Sequence, residues 1–274
     1  MRIVQPISMK LFKLVTLILV LIISSSLIVL SNGLVSAKIS DGWILKDQKL
    51  IFGLQINLEK NWKTYWRLPG NAGLKPLFTF NKSENILAAE IMWPTPIIFG
   101  EPDLWSIGYK DRVLLPIEIT PVDNSKPIKL EIEADIGICE DVCIPYAIDV
   151  SYSATPGQNQ ENHEILGAII STPIKSDDIG LQLPQCIINN GELILKFNEK
   201  KVYSGVKNIE LFVIEVGNSA FFVNSKKSHV LDDHIILSTE KGLGPELPAV
   251  ISRDKIRTTI IGSHQSLEFV GCSG

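Results

Sequence analysis

Residues 128–134 read IKLEIEA, and their apolar side chains fall at every second position. Because successive side chains of a β-strand point to opposite faces of a sheet, this alternation predicts a strand with one buried face. Outward from it, short runs rich in Ile, Val, Leu and Phe are broken by Gly, Pro and Asn. Further strands are predicted at Leu50–Leu58, 113–119, 148–152, 192–197, Ile209–Val216, His234–Ser238, 255–261 and 267–270. Short strands at regular spacing predict an all-β sandwich or barrel.

A change of composition near residues 154–162 divides the chain. Residues 154–160 read ATPGQNQ, which contains both chain breakers and no large apolar residue, so we interpret this segment as a linker. A helix is predicted directly after it, over His163–Ile170, with Asn162 as its cap. The predicted organisation is therefore one β-rich domain over 38–155 and a second, mostly β domain of unknown role over 156–274.

Residues 1–37 have the order of a secretory signal peptide. Three basic residues lie within the first 13, an apolar run follows over 14–30, and VSA at 35–37 offers a cleavage site before Lys38. The alternative is an uncleaved membrane anchor, because the apolar run is longer than the usual core of a signal peptide. Both interpretations predict an exported protein, and we expect it in the periplasm.

The charge of the chain argues against a nucleic-acid partner. The formal net charge is −4, and removing the three basic residues of the predicted signal leaves −7. A protein that binds the phosphate backbone needs a basic face instead.

Cys139 and Cys143 lie in the segment DIGICEDVCIP at 135–145. In a straight strand they would be about 13 Å apart, whereas a disulfide needs Cα atoms within about 7 Å. A bond between them therefore requires the chain to fold back or coil, and Gly137 and Pro145 are suited to such a bend. So short a ring restricts the unfolded chain little, which favours a reversible redox pair over a static bridge in a hairpin.

Glu140 and Asp141 lie between the two cysteines. Their negative charge would raise a thiol pKa, which suits a pair that is attacked as a disulfide or waits as a dithiol. The alternative is that they simply form an exposed, solvated turn.

Cys186 and Cys272 differ from the first pair because they are far apart in sequence. Disulfides are the default in an oxidising compartment, and the number of cysteines is even. We therefore predict a structural disulfide between them that closes a long loop; two free thiols are the alternative.

Four segments carry a resemblance to a known family. They are WKTYWRLPGNAGL at 62–74, WPTP at 93–96, GYKDRVLLP at 108–116, and residues 137–145 with the two cysteines. In this order they resemble the N-terminal periplasmic domain of the DsbD family of thiol:disulfide interchange proteins, in the branch shared with suppressor-of-copper-sensitivity proteins. The resemblance covers most of 38–155.

The resemblance implies an immunoglobulin-like β-sandwich whose cysteine pair cycles between dithiol and disulfide. It assigns the mixed disulfide to Cys143 and the resolving role to Cys139. An aromatic flap shields the pair in such domains, and the matching stretch is 99–107, with Trp105. The fused family members also carry a membrane domain and a thioredoxin-like domain, for which this sequence shows no signal. The implied partners are thus a separate membrane or thioredoxin-like electron donor and envelope acceptor proteins that bear disulfides.

Trp62, Tyr65, Trp66 and Arg67 form an aromatic and basic cluster. Its simplest interpretation is a packed strand end, because aromatic side chains at such positions bury much area. The functional interpretation is that some of them line the redox site, and we name Tyr65 and Trp66, together with Trp105, as candidate lining residues.

We expect no cofactor and no metal. The four histidines show no zinc-ligand spacing relative to the cysteines. Two functions besides electron relay stay open: a non-catalytic module that binds another envelope protein, and a copper-tolerance protein that holds Cu(I) between two thiolates, since this soft ion selects sulfur.

Overall fold

The computed structural model describes residues 33–45, 47–101, 104–155, 161–189, 191–239 and 245–274. Most of the predicted signal sequence, residues 1–32, lies outside the described residues, and so do residues 156–160 of the predicted linker at 154–160. Residues 35–37, where we predict cleavage, lie in the first strand. In the part of the chain that the structure describes, no helix is long and apolar enough to cross a membrane.

The first half of the chain forms two sheets that enclose one hydrophobic core, as the all-β prediction requires. Its strands are β1 Leu34–Ile44, β2 Leu50–Leu58, β3 Lys63–Gly70, β4 Leu77–Thr79, β5 Ile86–Ile91, β6 Ile97–Glu101, β7 Leu104–Lys110, β8 Arg112–Pro121, β9 Ile128–Cys139 and β10 Cys143–Ala154. One sheet has the order β1-β2-β8-β5, and the other has the order β10-β9-β3-β7-β6, with β4 also paired to β9. Both sheets contribute side chains to the core, which makes this half a β-sandwich.

Strand β9 shows why the sequence adopts this architecture. Its alternate residues Ile128, Leu130, Ile132 and Ala134 are all buried in the core, while the residues between them are only partly buried. The alternation in IKLEIEA therefore fixes which face of the strand turns inward, because a shift of one residue would exchange the two faces.

The second half of the chain has its own core between two further sheets. Its elements are α1 His163–Ile170, β11 Ile174–Lys175, β12 Gln185–Asn189, β13 Glu192–Asn198, α2 Glu199–Gly205, β14 Ile209–Val216, β15 Ser219–Asn224, β16 His229–Leu231, β17 His234–Ser238, β18 Arg257–Gly262 and β19 Ser266–Val270. The sheet orders are β11-β19-β18-β14-β15 and β12-β13-β17-β16. Cys186 and Cys272 lie buried in this core and are joined by a disulfide with a Cα–Cα distance of 5.6 Å.

The predicted helix over His163–Ile170 is confirmed. The Asn162 side chain accepts hydrogen bonds from the backbone N–H groups of Glu164 and Ile165, which caps the first turn. Ile165 is fully buried against Trp43 and Ile51, so the helix packs on the outer face of the first sandwich.

Side chains of the second half also pack against the first. Leu211, Val213 and Ile261 belong to the core of the first sandwich. Residues 33–274 accordingly form one contact unit.

An arginine reinforces this contact. The Arg67 guanidinium on β3 donates hydrogen bonds to Glu215 at 2.7 Å, Thr259 at 3.0 Å and Glu268 at 3.2 Å, all on the second half. It also lies 3.9 Å from the centroid of the Trp66 ring. The three hydrogen bonds thus tie strand β3 to the second half of the chain.

The two disulfides should differ in their contribution to stability. The bonded cysteines are 86 residues apart for Cys186–Cys272 and 4 apart for Cys139–Cys143. If the entropy of the unfolded chain dominates, replacing Cys186 and Cys272 by Ala lowers the free energy of unfolding by about 4–5 kcal/mol, against about 2 kcal/mol for Cys139 and Cys143. Denaturant unfolding of the two double variants measures both losses, and a larger loss for the Cys139–Cys143 variant would contradict this.

Candidate redox site

The Cys139–Cys143 disulfide closes the tip of a β-hairpin. Strands β9 and β10 pair antiparallel with Cys139 directly opposite Cys143, and their Cα atoms are 4.2 Å apart. The chain reverses through residues 140–142, which are exposed. The required fold-back is therefore a hairpin with a three-residue connection.

The predicted fold-back between the two cysteines is confirmed, but Gly137 and Pro145 flank the reversal and do not form it. These two residues lie opposite each other inside the ladder, and the reversal occurs between the cysteines. Pro145 fits there because β10 is the edge strand of its sheet, where a missing backbone N–H leaves no ladder bond unmade.

Tyr65 on β3 brings a hydroxyl to both sulfur atoms. Its Oη lies 2.6 Å from Sγ of Cys139 and 2.9 Å from Sγ of Cys143. A disulfide sulfur carries no hydrogen, so the phenol is the donor. Burial raises the pKa of Tyr65, which outweighs the opposing effect of a hydrogen bond with Ser106, and the hydroxyl therefore stays protonated at neutral pH.

Gly137 makes room for the Tyr65 ring. A Cβ atom at Gly137 would lie 2.7 Å from Cβ of Leu74 and 2.8 Å from Cε2 of Tyr65, closer than side-chain carbons approach each other. The Gly137 carbonyl also accepts a hydrogen bond from the Thr64 hydroxyl at 2.9 Å. Strand β9 is thus shaped so that the phenol can lie across the backbone and reach the sulfurs.

The two cysteines differ in exposure. Cys139 has 4% of its surface exposed, whereas Cys143 is an exposed residue at the start of the edge strand. Glu140 and Asp141 are exposed as well. A thiolate from another protein can therefore approach Cys143 and not Cys139.

The predicted flap lies on strands β6 and β7. Phe99 on β6 packs against Tyr65, with ring centroids 6.3 Å apart, and its ring lies 5.4 Å from the Lys63 ammonium. Trp105 on β7 packs edge to face against Phe222 of the second half at 5.2 Å. Phe99 is thus the flap residue beside the site. It lies in the predicted flap stretch 99–107, for which only Trp105 was expected near the sulfurs.

Trp66 lies in the core of the sandwich with no exposed surface. Because neighbouring residues of a strand point to opposite faces, Trp66 and Tyr65 cannot both face the disulfide. Of the three candidate lining residues, the structure places Tyr65 at the sulfurs, Trp66 in the core and Trp105 against Phe222.

Within the described residues, no group of three or more His, Cys, Asp or Glu side chains is arranged to hold a metal ion. After reduction the site would offer a metal two sulfur ligands, from Cys139 and Cys143.

Residues 37–151 match the model of the family described as thiol:disulfide interchange protein DsbD, N-terminal. The resemblance in the sequence is thereby confirmed, and with it the immunoglobulin-like β fold. Together with the Cys139–Cys143 disulfide, this match supports a thiol–disulfide exchange module.

One solved structure extends the likeness beyond the DsbD N-terminal domain. The N-terminal periplasmic domain of ScsB from Proteus mirabilis is similar with a TM-score of 0.53 and 17% identity, over 87% of this chain and 99% of that one. At this identity the likeness concerns the fold. A search of curated proteins found no match.

Replacing Gly137 by Ala should disturb the packing around the Cys139–Cys143 site. The added methyl group overpacks Leu74 and Tyr65, so we expect a loss of about 1–3 kcal/mol in the free energy of unfolding. Gly167 is the matched control, because it lies in helix α1 with no neighbouring atom within 4 Å of an added Cβ. G167A should instead gain about 0.5–1 kcal/mol. Denaturant midpoints measure both changes, and equal effects would contradict the close packing at Gly137.

Proposed function

We propose that the protein is a periplasmic module that relays reducing equivalents between envelope proteins through the Cys139–Cys143 pair. The asymmetry of the pair carries this proposal: Cys143 is exposed and Cys139 is buried under a phenolic donor. With this arrangement a partner can attack the exposed Cys143 sulfur. Cys139 is then the leaving group, and the Tyr65 hydroxyl lies beside its sulfur.

Reduction of the pair begins when a partner thiolate attacks the Cys143 sulfur. A bond forms between the partner and Cys143, the Cys139–Cys143 bond breaks, and its electron pair leaves on Cys139. The Tyr65 hydroxyl, already within hydrogen-bond distance of that sulfur, stabilises the charge that develops. The second thiolate of the partner then attacks its own bonded sulfur and releases Cys143. Two electrons have passed to the pair, and two protons complete the dithiol.

The dithiol is oxidised by an acceptor protein through the same steps in reverse. The Cys143 thiolate attacks the disulfide of an acceptor protein and forms a mixed disulfide with it. The Cys139 thiolate then attacks Cys143, restores the intramolecular bond and releases the reduced acceptor. In this scheme Cys143 faces the partner and Cys139 resolves.

The partners follow from the same chemistry. The pair needs a dithiol donor, for which a separate membrane or thioredoxin-like protein is suited, and an envelope acceptor that bears a disulfide. The signal-like order of residues 1–37 and the likeness to a periplasmic domain of ScsB support a periplasmic location. The Cys186–Cys272 bond takes no part, because both of its cysteines are buried in the second core.

Replacing Cys139 by Ser tests the relay. C139S leaves Cys143 as a free thiol without its resolving partner. Its thiolate should attack the disulfide of an oxidised thioredoxin-like protein, and because Cys139 is absent the mixed disulfide through Cys143 should accumulate. Non-reducing electrophoresis and mass spectrometry detect this complex. C143S is the control and should capture far less, because the remaining thiol is buried. If C139S captures no partner and a thioredoxin-like donor cannot reduce the wild-type pair, the relay is wrong and a non-catalytic binding role is favoured.

Replacing Tyr65 by Phe removes the donor and keeps the ring. A hydrogen bond to a charged group contributes about 1.5–3 kcal/mol, and 1.36 kcal/mol corresponds to one pKa unit. The pKa of the cysteine thiols should therefore rise in Y65F, and reduction of the pair by dithiothreitol at pH 7 should slow about tenfold or more. Y203F, a change on helix α2, is the control. Equal rates in Y65F and Y203F would remove Tyr65 from the mechanism.

A further inference from the structure

The face of β3 that carries Tyr65 also carries a lysine. Lys63 lies two residues before Tyr65, so both side chains leave the same face of the strand. Lys63 is also the direct partner of Cys139 in the antiparallel pairing of β3 with β9. Side chains of directly opposed residues share one face, with Cβ atoms about 4.5–5.5 Å apart. The lysine stem therefore starts beside the buried cysteine.

We propose that Lys63 is an electrostatic positioning residue of the redox pair, which stabilises the thiolate of Cys139 when the disulfide opens. This rests on the proposed relay, since it assigns to Lys63 the control of how readily the pair accepts electrons. The lysine does not touch substrate and exchanges no bond. It acts on the leaving sulfur through its charge.

The Lys63 ammonium contacts Phe99, which packs on the face of β3 that carries Tyr65. The Lys63 Nζ atom lies 5.4 Å from the Phe99 centroid, within the range of a cation–π contact. The same ring packs against Tyr65, which contacts both sulfurs. Phe99 thus contacts both the Lys63 ammonium and the Tyr65 ring. Within the described residues Lys63 forms no ion pair with a carboxylate, so its charge is not neutralised locally.

The other charges around the pair come from three elements. Glu140 and Asp141 lie on the hairpin connection, Asp135 lies on β9, and Lys110 on β7 is the direct partner of Lys63. All four are exposed, whereas Lys63 is half-buried. Charges in water are screened more strongly than partly buried ones. Lys63 should therefore offset the two acids, which on their own would raise the thiol pKa.

A stabilised Cys139 thiolate has two consequences for exchange. Cys139 becomes a better leaving group when a partner attacks Cys143, because leaving groups of lower pKa depart faster. The dithiol state is also favoured over the disulfide, so the pair is reduced more readily. Both effects favour acceptance of electrons from a donor.

The test replaces Lys63 by Met, which keeps an apolar stem over Phe99 and removes the charge. In a C143S background, where Cys139 titrates without a second redox thiol, K63M should raise the pKa of Cys139 by about half a unit to one unit. In the intact pair, at a pH at which Cys139 of the dithiol is ionised, the equilibrium constant for reduction by dithiothreitol should fall about three- to tenfold, equivalent to about 15–30 mV.

Two variants complete the design. K63R retains the charge and should keep values near wild type. K126M is the matched control: Lys126 precedes the far end of β9, roughly 40 Å along the strand from Cys139, and it is exposed. The K126M substitution removes one positive charge at a position far from the sulfurs. If K63M does not fold, judged by its unfolding midpoint, K63Q replaces it.

The outcomes are distinct. An increase in the Cys139 pKa and a fall in the equilibrium constant in K63M, absent from K126M and K63R, support the proposal. Unchanged values in K63M, or an equal shift in K126M, overturn it. The relay fails separately, if the wild-type pair cannot be reduced by a thioredoxin-like donor; a wild-type pair that exchanges normally while K63M is unaltered removes only the role of Lys63.

Discussion

The direct pairing of Cys139 with Cys143 at the tip of the β9–β10 hairpin is the constraint on which the rest of the site depends. The ladder that continues from this pair sets the register of β9 and so holds its alternate apolar residues in the core. The same register places Gly137 under the Tyr65 ring and Cys139 beside Lys63. A shift of one residue would turn the sulfurs away from the phenol and expose the core face of the strand. The redox site and the sandwich core thus rely on a single register.

The site is asymmetric because the hairpin tip meets the rest of the sheet on one side only. Cys139 lies on β9, which is flanked by β3 and covered by Tyr65, while Cys143 begins the edge strand. Burial of one sulfur and exposure of the other follow from this position. The second half of the chain supports the covered side, since Arg67 on β3 bonds to Glu215 and Glu268 and Trp105 on β7 packs against Phe222.

The sequence predicts the strands well where short apolar runs are bounded by chain breakers. Predictions at Leu50–Leu58, Ile209–Val216 and His234–Ser238 coincide with observed strands, because runs of apolar residues and chain breakers are local signals. The helix over His163–Ile170 could be predicted equally well, since its N-cap Asn162 is adjacent to it in sequence.

The redox site itself could be predicted only in part from the sequence. Spacing required the chain to fold back at the cysteines, but Gly137 suggested a bend where it actually provides space for a ring from another strand. Alternation along β3 would have separated Tyr65 from Trp66, but it could not say which of them faces the sulfurs. The contacts of Phe99 and Lys63 depend on pairing between strands distant in sequence, which no local pattern carries.

Cys139–Cys143 should be an exchangeable bond, whereas Cys186–Cys272 should be a structural one. The most direct measurement equilibrates the full chain in redox buffers of graded potential, alkylates the free thiols and assigns each cysteine by mass spectrometry. We predict that the Cys139–Cys143 pair is half reduced at a potential above about −300 mV, whereas Cys186–Cys272 stays oxidised to below that value. Half reduction of the Cys139–Cys143 pair only below about −300 mV, together with Cys186–Cys272, would contradict the claim.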